Sequence, residues 1–161
     1  MGKNVFEKRA EELQKYKRTD ETIFPETQEE RKIGFPRYKA PYIPPAWLEK
    51  FFDLNRRQKI DKVDSEFVRL NIMGSGNESK ILSAFRFLRL IDDSGYATSK
   101  LISLRVLGDD FKNNLKVIVT EAYEDLISTI VLDVAKPENL INFFVQRYDY
   151  SPTMARNALR F

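Results

Sequence analysis

The segment from Ser75 to Ile91, SGNESKILSAFRFLRLI, constrains the fold more than any other, because it combines a helix start signal with two unlike faces. Ser75 and Glu78 have the spacing of a capping box, in which each side chain satisfies a backbone N–H at the start of a helix. We therefore expect a helix that begins at about Gly76 and continues to Ile91. At about 100° per residue its apolar residues share one side, which suits burial. They are Ile81, Ala84, Phe85, Leu88 and Ile91.

The opposite side of this predicted helix carries polar and basic side chains. Ser79, Ser83 and Arg86 form a stripe with the spacing i, i+4, i+7, and Arg89 lies on the same side. A helix in a DNA major groove presents such a stripe to the base edges. More commonly, the same pattern belongs to a solvated helix face in a bundle. The stripe alone therefore leaves both interpretations open.

The absence of two residue types limits the chemistry of this chain, which contains neither cysteine nor histidine. Disulfides and thiolate chemistry are excluded, and so are the commonest general base and the commonest transition-metal ligand. No phosphate-loop, nucleophile-elbow or HExxH pattern occurs. The adjacent pairs Asp92–Asp93 and Asp109–Asp110 lie where turns and helix caps favour aspartate. We expect a protein that is not an enzyme and has no cofactor or metal site.

The overall composition is that of a soluble globular protein, with 42% hydrophobic and 32% charged residues. No apolar run approaches the roughly 18 residues of a membrane span. The N-terminus, MGKNVFEKRAEELQ, lacks the apolar core of a signal peptide. These features predict a cytoplasmic protein with no membrane association.

The formal net charge of +3 is unevenly distributed along the 161 residues. Residues 1–60 contain 14 Lys and Arg against 10 Asp and Glu, whereas residues 61–161 contain 13 against 14. Phosphate contacts supply much of the affinity of nucleic-acid-binding proteins, which therefore usually carry a marked basic patch. The nearly neutral remainder of the chain argues mildly against strong DNA binding.

Residues 1–40 form a predicted N-terminal extension. Residues 3–18 have the pattern of a short amphipathic helix, and a proline-containing extended arm follows it. The latter part of this arm interleaves aromatic and basic side chains without any acidic residue. They are Arg31, Lys32, Phe35, Arg37, Tyr38 and Lys39. Such a segment can follow a phosphate backbone and stack on bases, or it can fill grooves on its own domain.

Residues 41–161 have the pattern of a mostly α, compact multi-helix domain of helix-turn-helix or degenerate winged-helix type. We expect Thr98 to cap a helix that reaches Gly108. A longer helix, capped by Asp109 or Asp110, follows it and is expected to be the central buried element of the domain. The apolar segment STIVLDVAK predicts an extended piece after this helix.

The turn from Asp92 to Gly95 limits the winged-helix interpretation. The chain there is too short for a full hairpin, and the tip is acidic, so any wing would be vestigial. Two helices near the C-terminus, the second capped by Ser151 and Pro152, predict another helix-turn-helix-like unit. Its exposed polar residues are expected to be Thr153, Arg156, Asn157 and Arg160.

Four segments, taken in order, resemble a family of bacterial and archaeal helical domains of unknown function. They are PYIPPAWLEKFFD, MGSGNESKILSAFRFLRLIDDSGYAT, LKVIVTEAYEDLI and NFFVQRYDYSPTMARNALRF. The resemblance covers residues from Pro41 to Phe161. It implies a compact, mostly helical unit and supplies neither an activity nor site residues.

Two functional hypotheses follow from these patterns. The first is a non-catalytic protein that binds nucleic acid, with DNA favoured, as a transcription-associated factor would. It uses the face of Ser79, Ser83, Arg86 and Arg89, while Arg31, Lys32, Arg37 and Lys39 contact phosphates. The second is a protein-interaction module that docks onto a larger complex through its N-terminal arm. The polar stripe and the basic arm favour the first hypothesis, whereas the charge distribution and the acidic turn favour the second.

Overall fold

The computed structural model describes residues 38–161, which form one compact, mostly helical unit, Tyr38–Phe161. Within this range the chain forms eight α-helices and one short 3-10 helix, Leu132–Val134. The α-helices are α1 Pro45–Arg57, α2 Ser65–Asn71, α3 Glu78–Phe87, α4 Ser99–Ser103, α5 Gly108–Ala122, α6 Glu124–Thr129, α7 Pro137–Tyr148 and α8 Pro152–Arg160. The predicted N-terminal helix and most of the arm lie outside the described residues.

Helices α1 and α3 pack together at the centre of the core. Pro45 begins α1, where a residue without an N–H costs no hydrogen bond. The Phe51 ring stacks on the Phe85 ring of α3, with 4.1 Å between the centroids, and both side chains are fully buried. Asn55 is also buried, and its Nδ2 donates to the carbonyl oxygen of Leu101 at 2.9 Å. The stacked rings of Phe51 and Phe85 thus join α1 to α3, and the Asn55 hydrogen bond joins α1 to α4.

Three short extended segments pair with one another between the helices. Isolated antiparallel bridges join Lys62 to Tyr96 and Ile91 to Ala97. Gly95 closes the turn that joins the second and third segments, and its backbone has a φ of +86°. None of these pairings in residues 38–161 is long enough to form a strand, as the short spacing of the segments predicts.

The predicted extent of α4 was wrong. This helix ends at Ser103, and Gly108 begins the next helix instead of ending this one. The Thr98 side chain does not cap α4, and its hydroxyl donates backwards to the carbonyl oxygen of Arg89 at 2.6 Å. Thr98 therefore stabilises the chain reversal after α3.

The prediction that α5 is the central buried element was also wrong. Only Ile118 of this helix is buried, and the Val117 side chain is 56% exposed. The helix ends at Ala122. Asp109 and Asp110 lie in its first turn, where negative charge favours the helix dipole, but neither side chain caps it. Its apolar face is wider than the area that the neighbouring helices cover.

The remaining C-terminal predictions had mixed outcomes. The predicted extended piece is instead the exposed 3-10 helix, flanked by Val131, whose side chain is 70% exposed. The predicted helix, turn and helix unit is present, since α7 and α8 pack against each other. Asp149 lies in the left-handed region between them, and the Ser151 hydroxyl accepts a hydrogen bond from the Met154 N–H at 3.2 Å. That last bond confirms the predicted cap.

Replacing Gly95 by alanine should lower the free energy of unfolding by roughly 1–3 kcal/mol, because alanine is strained at this positive φ. An added Cβ would also collide with the carbonyl oxygen of Val63. Chemical denaturation of the purified chain measures the loss. Gly74→Ala is the matched control, since nothing lies within 4 Å of a Cβ added there. Equal stability of the two variants would contradict the close pairing of Gly95 with Val63.

Candidate nucleic-acid interface

Helix α3 begins two residues later than predicted. Gly76 has a φ of +113°, which is incompatible with a helix, and Asn77 is the residue before the first turn. The Ser75 hydroxyl does not cap the helix, whereas the Gly76 N–H donates to Oε2 of Glu78 at 2.8 Å. The backbone N–H groups of Glu78 itself and of Gly76 lower the pKa of the Glu78 carboxyl. The predicted capping box is therefore absent, because the Glu78 carboxylate accepts from Gly76 and not from Ser75.

Helix α3 also ends earlier than predicted, at Phe87. Arg89 has a φ of 54° and so turns the chain out of the helix. The apolar pattern continues through Leu90 and Ile91 because both side chains enter the core from the extended segment that follows. Helical periodicity alone could not distinguish side chains that are buried from the helix from those that are buried from the extended segment. Arg89 is exposed but lies off α3, away from the predicted stripe.

The three remaining stripe residues differ in their exposure and contacts. Ser79 is exposed, while Ser83 and Arg86 are half-buried. Nη2 of Arg86 donates to the carbonyl oxygen of Asp93 at 3.3 Å. Nε of Arg86 is buried and has no hydrogen-bond partner within the described residues. Arg86 therefore holds the 92–95 turn against α3, and the polar surface of α3 is narrow.

An aromatic cluster covers one flank of α3. The Phe87 ring lies with its centroid 5.0 Å from that of Tyr123, between α5 and α6, and 6.3 Å from that of Tyr148 on α7. The Tyr148 ring in turn stacks on Phe144, with 5.9 Å between centroids. The last turn of α3 is thus fixed against the C-terminal half of the domain, and only its first two turns present a polar surface.

A pocket of about 400 Å³ opens beside the start of α3. It is formed by the N-terminal end of α1, the first turn of α3, and α8, together with the segment that precedes α1. Its polar and aromatic lining residues are Tyr42, Trp47, Asn77, Lys80, Asn157 and Arg160. No carboxylate lines it, and neither Lys80 nor Arg160 forms an ion pair with any residue from 38 to 161. The pocket is therefore a locally basic site.

The pocket joins residues that sequence patterns treated separately. The predicted polar residues of α8, Thr153, Arg156, Asn157 and Arg160, are all exposed. Two of them, Asn157 and Arg160, meet the first turn of α3. Lys80 and Asn77 were missed, although Lys80 directly follows Ser79 of the stripe. The Trp47 side chain packs on the core but is only half-buried and also lines the pocket.

The basic arm is described only in its last residues. Arg31, Lys32 and Arg37 lie outside the described residues. Lys39 is exposed, and its Nζ lies 5.6 Å from the centroid of the Tyr150 ring, between α7 and α8. The contacts in the described range do not bring Lys39 together with the stripe on α3.

Two further properties of residues 38–161 bear on function. No group of three or more acidic side chains in this range is placed to hold a metal ion. None of the helices in the same range is both long enough and apolar enough to cross a membrane.

No family model, curated protein or solved structure matches this chain. The resemblance of residues 41–161 to a bacterial and archaeal helical family therefore stays a prediction. The function of the chain has to be inferred from its own residues and their geometry.

The aromatic cluster predicts that stability falls at alkaline pH. Burial, with a smaller effect from the nearby Asp125 charge, raises the pKa of Tyr148 to about 12. A tyrosine in the unfolded chain ionises at about pH 10, so the unfolded state loses this proton first. The stabilising effect is complete below about pH 10 and is lost as the pH rises toward 12.

Tyr148→Phe should reduce this pH-dependent loss of stability, which chemical denaturation between about pH 8 and 11 measures. Tyr96→Phe removes a hydroxyl from an exposed ring, so this control should keep the pH dependence of the parent chain. If Tyr148→Phe and the parent chain lost stability equally, the burial of the Tyr148 hydroxyl would be contradicted.

Proposed function

We propose that this chain is a non-catalytic nucleic-acid-binding protein whose contact surface is formed by α3 and α8. This α3–α8 surface consists of Ser79, Lys80, Ser83, Asn157 and Arg160. The single observation that carries the proposal is the pocket at its centre, which two cations line and to which residues 38–161 contribute no carboxylate. The body of the chain is nearly neutral, so such a local excess of positive charge is informative.

The order of elements supports a degenerate winged-helix type. A winged-helix domain contains a helix, a short strand, two further helices and a hairpin. Here α1 is followed by the extended segment around Lys62, then α2, α3 and the bridged turn from Ile91 to Ala97. In this arrangement α3 occupies the place of the recognition helix, which contacts the nucleic acid with its N-terminal residues.

The chemistry of the α3–α8 surface suits phosphate recognition. Lys80 and Arg160 supply positive charge, and the Ser79 hydroxyl and the Asn157 amide supply neutral hydrogen-bond donors. Arg86 contributes less than the sequence pattern suggests, because its guanidinium already donates to the Asp93 carbonyl. The predicted contacts of Arg31, Lys32, Arg37 and Lys39 with phosphates remain part of the proposal.

Ser79→Glu should weaken the binding of a fluorescently labelled DNA about tenfold, since it places a negative charge on this surface, next to Lys80 in the chain. The variant should fold normally, because a carboxylate in the first turn of a helix favours the helix dipole. Fluorescence anisotropy at several salt concentrations gives the affinity and its salt dependence.

Ser99→Glu is the matched control for this experiment, since it adds the same charge at an exposed position in the first turn of α4. It should bind DNA like the parent chain. Equal affinities of the Ser79 and Ser99 variants would remove α3 from the interface, and an absence of binding by the parent chain would refute the proposed function.

A protein-interaction module is the second candidate function, and exposed apolar side chains favour it. The side chains of Leu107 and Val134 are 73% and 78% exposed, and Val117 and Val131 are exposed as well. Large apolar groups in contact with water often mark protein-docking surfaces when they are contiguous. The narrow polar surface of α3 is also consistent with this alternative.

The two candidates predict different results when the tagged chain captures partners from a lysate of its native host. Under the nucleic-acid proposal, nuclease treatment should release the co-captured proteins, and Ser79→Glu should reduce the recovered nucleic acid. Under the alternative, a defined protein should survive nuclease and be lost when Val131 and Val134 are both replaced by serine. Circular dichroism of that double variant is the control for folding.

A further inference from the structure

The pocket between α1, α3 and α8 has features that a surface for duplex contacts does not require. It is concave, and its volume of about 400 Å³ falls within the roughly 300–1,000 Å³ of pockets for small ligands. Trp47 lines it from α1, half-buried against the core and half open to the pocket. A protein can contact the phosphate backbone of a duplex without an aromatic recess of this kind.

The aromatic side of the pocket is held by contacts within the domain. The Tyr42 ring packs edge-on against the Tyr150 ring, with 5.5 Å between centroids. The Tyr150 hydroxyl donates to the carbonyl oxygen of Ala40, which anchors the segment before α1. Nζ of Lys80 lies 5.7 Å from the centroid of Tyr42, so the ring also positions this cation. Contacts within the domain therefore hold the shape of the recess, and such preorganisation lowers the entropic cost of binding.

The lining residues match the parts of a nucleotide. Lys80 and Arg160 provide two positive charges for a phosphate, and the absence of a lining carboxylate removes repulsion. The amides of Asn77 and Asn157 can both donate to and accept from the edge of a base. The Trp47 ring provides a stacking surface, and base stacking on aromatic side chains is tolerant of sequence.

We infer that this pocket binds one nucleotide of a single-stranded nucleic acid, with its phosphate at Lys80 and Arg160 and its base against Trp47. The inference rests on the proposed function and deepens it by naming the class of nucleic acid. In a duplex every base is paired and stacked, and extruding one costs a few kcal/mol. A base in a single strand is free to enter, so the chain prefers single strands.

Trp47 is the only tryptophan in the chain, so its fluorescence reports on this pocket alone. The experiment titrates the full chain with a short oligothymidylate, with its duplex with oligoadenylate, and with inorganic phosphate. Stacking of thymine on Trp47 should quench the emission until it saturates, and the single strand should bind about tenfold tighter than the duplex. The anisotropy of a labelled oligothymidylate measures total binding in the same samples.

Arg160→Ala and Lys80→Ala should each weaken the quenching titration about tenfold, and Arg160→Lys should retain most of the affinity. Lys116→Ala is the matched control, because it removes an exposed cation from α5 and should leave the titration unchanged. Circular dichroism of each variant checks the helical content.

Four results would overturn the inference. Binding that anisotropy detects without a change in Trp47 emission would show that the nucleic acid does not enter the pocket. The proposed function would be unaffected by that result. Equal effects of the Arg160 and Lys116 alanine variants would lead to the same conclusion. If inorganic phosphate competed as well as the oligonucleotide, the site would recognise an anion and no base. An oligothymidylate and a duplex that both fail to bind by either readout would refute the proposed function as well.

Discussion

The stack of Phe51 on Phe85 is the contact on which the arrangement of the domain depends. Its centroid distance of 4.1 Å fixes the separation of α1 and α3. Phe67 packs edge-on against the Phe51 ring and so brings α2 to the same centre. Such ring pairs contribute roughly 0.5–1.5 kcal/mol beyond the burial of their area. Because α1 and α3 also form two walls of the pocket, this core contact determines its width.

Sequence patterns predicted the helices better than their ends. The existence of α7 and α8 followed from apolar spacing and from caps such as Ser151, which are local properties. The end of α3 at Phe87 depends on the left-handed turn at Arg89 and on the bond from Thr98 to the Arg89 carbonyl, both of which need the folded chain. For α5, periodicity identified the apolar face, but it carries no information on how much of that face neighbouring helices cover.

Sequence patterns predicted individual residues of the candidate site but not their arrangement in space. Ser79 on α3 and Arg160 on α8 were each recognised as exposed polar residues of a helix, because amphipathic spacing reveals a solvated side. The meeting of Arg160 with Lys80, the neighbour of Ser79, in one pocket could not be predicted, since the two residues are far apart in sequence and only packing joins them. For Arg86 the sequence predicted the position on the helix but not the availability of the side chain. Its guanidinium donates to the Asp93 carbonyl, and this hydrogen bond forms only in the folded chain.

The bond from the Tyr150 hydroxyl to the Ala40 carbonyl joins the two ends of the described range. It anchors the first described residues to the C-terminal helices, and Tyr42, two residues later, lines the pocket. The Tyr42 ring packs edge-on against the same Tyr150 ring. The pocket wall that precedes α1 is therefore held by the segment between α7 and α8. Loosening the C-terminal helices would open the pocket from the opposite end of the domain's sequence.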